Sequence, residues 1–203
     1  MSSVTPRAAR IAAWIAIPAA LVASGVVVST ASYSAFSSTT SNPTSNWTSG
    51  NVALTNDQPT TALFNATALK PGSTGSNCLT VLSTGSLPAT VKVYGTGAST
   101  SNVLATSMNL TVEQGTGGGN GSCTNFVPAG SPIYTGTLAG FGTSATNFST
   151  GAGSWTTVGV PVSANPTPET KVYRVTYTLP TNAPSTAQGL TASVGFTWEA
   201  QNN

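Results

Sequence analysis

Between Gly189 and Ala200 the chain alternates apolar and polar residues, with Leu190, Ala192, Val194, Phe196 and Trp198 set against Thr191, Ser193, Gly195, Thr197 and Glu199. Successive side chains of a strand point to opposite faces, so this run buries one face and wets the other only as β-structure. Lys171 to Leu179 reads the same way, with Tyr173, Val175, Tyr177 and Leu179 on one face. Cys78 to Leu82 and Ala89 to Tyr94 flank Ser83-Thr84-Gly85-Ser86-Leu87-Pro88, which reads as a turn between paired strands. Met108, Leu110 and Val112 mark another strand, and shorter candidates cover Asn51 to Thr55, Thr61 to Phe64, Ile133 to Leu138 and Trp155 to Val160. Pro180 to Gln188, with two prolines, reads as a flexible loop. No stretch of the chain beyond its N-terminal segment sustains a helical period. Seven to nine short, half-buried strands with dense turns predict an all-β fold, a two-sheet antiparallel sandwich of jelly-roll type, forming a single domain over 49–203.

The N-terminus is different. Arg7 and Arg10 precede an uncharged apolar run from Ile11 to Val28, followed by small residues. This is the pattern of a secretory signal helix, assigned to residues 1–35. A second reading stands beside it: Ile11 to Ala31 is long enough for an uncleaved membrane anchor. Pro18 and Gly25 weaken a permanent helix and favour cleavage, and Ser29 and Ala31 place a cut at Ala31–Ser32 by the small-residue rule. Residues 36–48 then form an extended segment ahead of the domain.

Charge excludes several functions. The chain has six basic residues, four acidic residues and no histidine, and only 5% of it is charged, against about a quarter in ordinary domains. Beyond the signal, Lys70, Lys92, Lys171 and Arg174 balance Asp57, Glu113, Glu169 and Glu199. Four scattered cations make no phosphate-binding patch, so nucleic acid is not an expected partner. Without histidine there is no Ser-His-Asp triad, Cys-His pair or His-ligated zinc. A two-carboxylate site remains formally open, but Glu113 and Glu199 lie on polar strand faces and Asp57 and Glu169 beside loops, where a solvated surface charge is the expected role. The run Gly115 to Gly121 lacks the Lys-Ser/Thr of a phosphate cradle and reads as a plain loop. No cofactor and no enzymatic activity are expected. Trp47, Trp155 and Trp198 are the candidates for a sugar-stacking platform, with Trp198 read as core, and Tyr173 and Tyr177 read as packing residues. Five Asn-x-Ser/Thr sequons, at Asn46, Asn65, Asn109, Asn120 and Asn147, matter only in a eukaryotic secretory pathway.

Cys78 and Cys123 are the only cysteines. In an exported chain an even pair predicts a disulfide, and closing a loop of 45 residues contributes about 4 kcal/mol on the chain-entropy model.

Three stretches, in order, resemble the family of TasA and camelysin, secreted bacterial proteins of cell surfaces and biofilm matrices. Ser34-Ala35-Phe36-Ser37-Ser38-Thr39, then Asn46-Trp47-Thr48-Ser49-Gly50-Asn51-Val52-Ala53-Leu54, is similar to the family's opening. Leu69-Lys70-Pro71-Gly72, and later Thr84-Gly85-Ser86-Leu87, are similar to its "L-K-P-G-D" and "N-x-G-S-L" elements. Phe196-Thr197-Trp198-Glu199-Ala200-Gln201 is similar to its closing strand. Family acidic positions are Ser37 or Ser38, Ala53 and Ser73 here; the cysteine pair and the long Gly-rich middle also depart from the pattern. The resemblance implies a jelly-roll-like sandwich and moves the expected cleavage to Ala35–Phe36. It also implies a subunit of an extracellular or biofilm-matrix fibre at a bacterial surface, self-associating by N-terminal strand donation with Phe36 and Trp47 as anchors, and other matrix or cell-wall components as further partners. Camelysin's metalloprotease activity is not carried over to a chain without histidine. The alternative role is a monomeric cell-surface adhesin or carbohydrate-binding module.

Overall fold

The structure is a computed structural model that describes residues 49–161 and 167–202. The expected signal segment, both cleavage positions (Ala31–Ser32 and Ala35–Phe36) and the expected anchors Phe36 and Trp47 lie outside the described residues.

Among the described residues nine strands form two antiparallel sheets. The larger has six: β1 (Leu54–Asn56), β2 (Thr74–Ser83), β4 (Asn109–Thr116), β5 (Val127–Pro128), β6 (Tyr134–Thr137) and β8 (Glu169–Thr178). Its order is β1-β2-β8-β4-β5, with β6 also pairing β4. The smaller has β7 (Ala152–Thr157), β3 (Ala89–Thr96) and β9 (Gly195–Asn202), in the order β7-β3-β9.

The β-branched and aromatic run of β8 pairs along its length with β2 and for seven residues with β4, making it the centre of the larger sheet. The inward faces of both sheets meet in one core: Leu79, Val81, Leu110, Val112, Tyr173 and Val175 from the larger, and Val91, Val93 and Trp155 from the smaller. Tyr173 and Trp198 meet edge to face across it, ring centroids 5.3 Å apart. The all-β sandwich is therefore present.

Several local expectations are corrected. β2 and β3 are not paired with each other: β2 lies in the larger sheet and β3 in the smaller, so the turn at 84–88 carries the chain from one sheet to the other. That turn is held from outside, by bonds from Leu87 N–H to Asn51 C=O and from Val160 N–H to Gly85 C=O. Thr61 to Phe64 is not a strand. It belongs to the 57–73 connection, where Leu63 and Phe64 pack on the core and Phe64 stands edge-on to Tyr177 at 5.1 Å. The last strand begins at Gly195 rather than Gly189: Ser193 bonds through its backbone to Ser99, and Thr191 C=O accepts from Asn102 Nδ2, so 189–194 is tied to the 97–102 loop instead of to a ladder. Pro180 to Gln188 carries a 3-10 turn, Ser185–Ala187.

Two short helices were not anticipated, being too short to show a period. α1 (Val103–Ser107) is capped by Asn102, whose Oδ1 accepts from Ala105 N–H at 2.8 Å. α2 (Leu138–Ser144) is capped by Thr137, whose Oγ1 accepts from Gly140 N–H at 3.0 Å. The helices contribute Leu104, Ala105, Leu138 and Ala139 to a second small core with Met108 and Leu179. Phe141 of α2 reaches the main core, where it is fully buried.

Candidate functional site

The four carboxylates are far from idle surface charges, and they do not gather into one site. Glu113 takes the Arg174 guanidinium at 2.6 Å across β4 and β8, and this bond raises the arginine's pKa. Phe126 stacks on the other side of that guanidinium, 4.5 Å from ring centroid to Cζ. Asp57 continues the β1–β2 ladder past the end of β1. Its N–H donates to Thr80 C=O, its Oδ1 accepts from Thr80 N–H, and its Oδ2 accepts from Asn120 N–H. Glu169 accepts from the N–H groups of Val158 and Gly159, turning the chain away after β7; that is why the strand expected over Trp155 to Val160 stops at Thr157. Glu199 accepts from Gln201 Nε2 and from the Tyr94 hydroxyl, which together lower its pKa, while the same bond raises that of Tyr94. Each acid serves as a backbone or cross-strand tie. Among the described residues no three His, Cys, Asp or Glu side chains come close enough to hold a metal.

The disulfide between Cys78 and Cys123 is present, with Cα atoms 5.0 Å apart. The tryptophan platform is not assembled: Trp155 and Trp198 both belong to the core, and Trp47 lies outside the described residues. Tyr173 is fully buried, which raises its pKa strongly, and Tyr177 is half-buried against Phe64. Among the described residues the large apolar side chains that stand exposed are Val127, Val158 and Leu190, none of them aromatic.

What the structure does assemble is a gap at one side of the sandwich. Among the described residues β9 pairs with β3 alone, so its other margin is a row of unpaired backbone groups. Beside it lies an open, uncharged groove of about 490 Å³, lined by apolar and polar side chains together. Leu79, Leu110 and Tyr177 line it from the larger sheet, Phe196 and Trp198 from β9, and Phe64 from the 57–73 connection. No charged side chain lines it. Polar groups are left unfinished at the same end: Gln58 Oε1 and Trp198 Nε1, on residues that line the groove, and Asn77 Oδ1 of β2 are buried without a hydrogen-bond partner among the described residues. Native interiors rarely leave such groups unpaired.

The other margins are less inviting to a new strand. β1 is three residues long, β5 two and β6 four. β7 is broken by a bulge, with a register shift between Val91 and Val93 and Gly153 at φ +71°. Sequence reasoning identified the β9 strand but not its open margin, because pairing partners are not encoded in a strand's own alternation.

No protein-family model and no curated protein matches this chain.

Proposed function

We propose that the chain is a secreted structural protein of a bacterial surface, a non-enzymatic subunit of an extracellular or biofilm-matrix fibre. In this reading residues 36–48 of one copy add as a strand to the β9 margin of the next, completing a jelly-roll-like sandwich. The observation that carries it is the β9 margin, unpaired among the described residues, beside an open, uncharged groove. A strand added there satisfies the free backbone groups and supplies side chains to the groove in one step. Because donor and acceptor are different surfaces of one chain, the contact is head-to-tail, the kind that builds a filament wherever its rotation does not close a ring.

The chemistry of the donor matches the acceptor. Residues 36–48 carry no charge, as the groove does, and Phe36 and Trp47 are their large apolar side chains. Thirteen residues, extended at about 3.3 Å each, span roughly 43 Å, ample for the eight residues of β9. Pro43 cannot donate to a ladder, so the inserted strand lies to one side of it. The resemblance to the TasA and camelysin family points the same way. The adhesin reading draws no support from Trp155, which is buried, and Trp198 is half-buried against the core.

Deleting Phe36 to Pro43 tests this. Filaments seen by electron microscopy of the exported protein should disappear, and light scattering should fall to the monomer level with circular dichroism unchanged. Filaments that survive the deletion, or an undeleted protein that stays monomeric at high concentration and across pH, would contradict the fibre reading and favour the adhesin.

A further inference from the structure

The Gly-rich loop after β4 has a position that explains its composition. Residues 117–125 fold back onto β2, and the disulfide from Cys123 fixes them to Cys78 in the middle of that strand. Cys78 and Thr80 sit two apart and turn their backbone groups to the same outer margin. There Gly121 N–H donates to Cys78 C=O at 3.0 Å, while Asp57 bonds Thr80 through its N–H and its Oδ1. Asp57 Oδ2 in turn accepts from Asn120 N–H at 2.6 Å, joining loop and carboxylate into one cover. Glycine is required for so close an approach. Gly119 has φ +119°, and a Cβ there would lie 2.9 Å from Asp57 Oδ2; a Cβ on Gly118 (φ +78°) would lie 2.7 Å from the Ser122 carbonyl oxygen.

We infer that the disulfide-stapled glycine loop and Asp57 form a guard over the β2 margin, and that reducing the disulfide turns this margin into a second pairing surface for another copy of the chain. β2 is ten residues long, and β1 covers only Val81 to Ser83 of it. Without the guard, the stretch from Thr74 to Thr80 is a long, uncharged, unbulged edge, the kind that pairs with its own copies. With the guard, addition is confined to β9 and growth stays single-file. The switch is a two-electron step: a dithiol reductant gives up two electrons and two protons, becoming a disulfide, and Cys78 and Cys123 become thiols. This inference rests on β9 being the assembly margin. The two ideas fail separately, because the fibre reading is decided on the oxidised protein and the guard by what reduction changes.

The test is hydrogen exchange and light scattering on the exported chain before and after treatment with a dithiol, with thiol labelling to establish that both cysteines are free. Reduction should speed exchange of the Gly121 and Thr80 amides by about tenfold or more and start association beyond the oxidised state. Ser76→Lys places a charge on the bared edge; it should suppress the new association while leaving the faster exchange. Asp57→Ala, with the disulfide intact, should speed exchange at Thr80 and Asn120, and provides a check should the reduced chain lose its fold. Three results would overturn the inference: protection at these amides unchanged after reduction and in Asp57→Ala, faster exchange without association, or association indifferent to Ser76→Lys.

Discussion

Along the outer margin of β2, cover is laid down residue by residue: Asn56 pairs with Val81, Asp57 bonds Thr80 twice, and Gly121 bonds Cys78. Along the outer margin of β9, eight residues have a strand partner on one side only among the described residues, and an open groove lies beside them. Both strands belong to antiparallel sheets of one sandwich and share a core, so propensity and burial do not separate them. What separates them is where the chain places its few special groups. The single disulfide, Asp57 and the Arg174–Glu113 pair with Phe126 stacked on it all serve the larger sheet. The smaller sheet has Glu199 tied to Tyr94, the buried Thr157 hydroxyl tied to Ala89 and Lys92 over the Phe148 ring, none of which covers the outer margin of β9. A chain with so few charges cannot blunt every edge with lysine, the usual device; here covalent and hydrogen-bonded cover lies on one edge and not on the other among the described residues.

The largest effect that would sharpen this contrast lies in the core. Tyr173, fully buried at the centre of the larger sheet, should cost about 4 kcal/mol when replaced by alanine, since it opens a cavity and strands the Gln114 side chain bonded to its hydroxyl. Trp198, half-buried beside a space that already exists, should cost about 2 kcal/mol for the same truncation, because less packing is lost. Urea denaturation of both variants checks the ranking. Equal costs would mean that the groove side of the sandwich is as well packed as its centre.

The central strand was the most legible part of the fold. Lys171 to Leu179 was expected and Glu169 to Thr178 found, since its β-branched and aromatic residues fit a strand paired on both sides. Legibility fell wherever the outcome depended on a distant partner. Leu190 to Val194 continues the alternation of β9, yet its backbone goes to Ser99 and Asn102. Cys78 to Leu82 and Ala89 to Tyr94 look like hairpin arms, yet separate into two sheets, because the local pattern of a strand names a face and not a neighbour. Thr137 and Asn102 are capping residues whose signal was present, but helices of seven and five residues cannot display a period. Of the candidate site, the disulfide was readable by count. The open margin was not, since it consists of bonds that are missing rather than residues that are present.

A smaller effect concerns Glu199, the one acid on β9. Its bonds to Gln201 and Tyr94 hold its folded pKa below the ordinary carboxylate value of about 4.3. A depressed folded pKa contributes stability that is complete above the unfolded value and is lost as pH falls through the folded one. Glu199→Gln should therefore lower stability at neutral pH, match the parent in strong acid, and so flatten the acid limb of the stability profile below about pH 4.3. An acid limb identical to that of the parent protein would place the sensitivity elsewhere.

The account stands most directly on which margin a neighbour uses. Hydrogen exchange followed by mass spectrometry, comparing monomer with assembled protein under oxidising conditions, reads this residue by residue. Assembly should slow exchange at alternate amides within Gly195–Asn202 and leave Thr74–Thr80 unchanged. Slowing along β2 with none along β9, or no slowing on either strand, would contradict it.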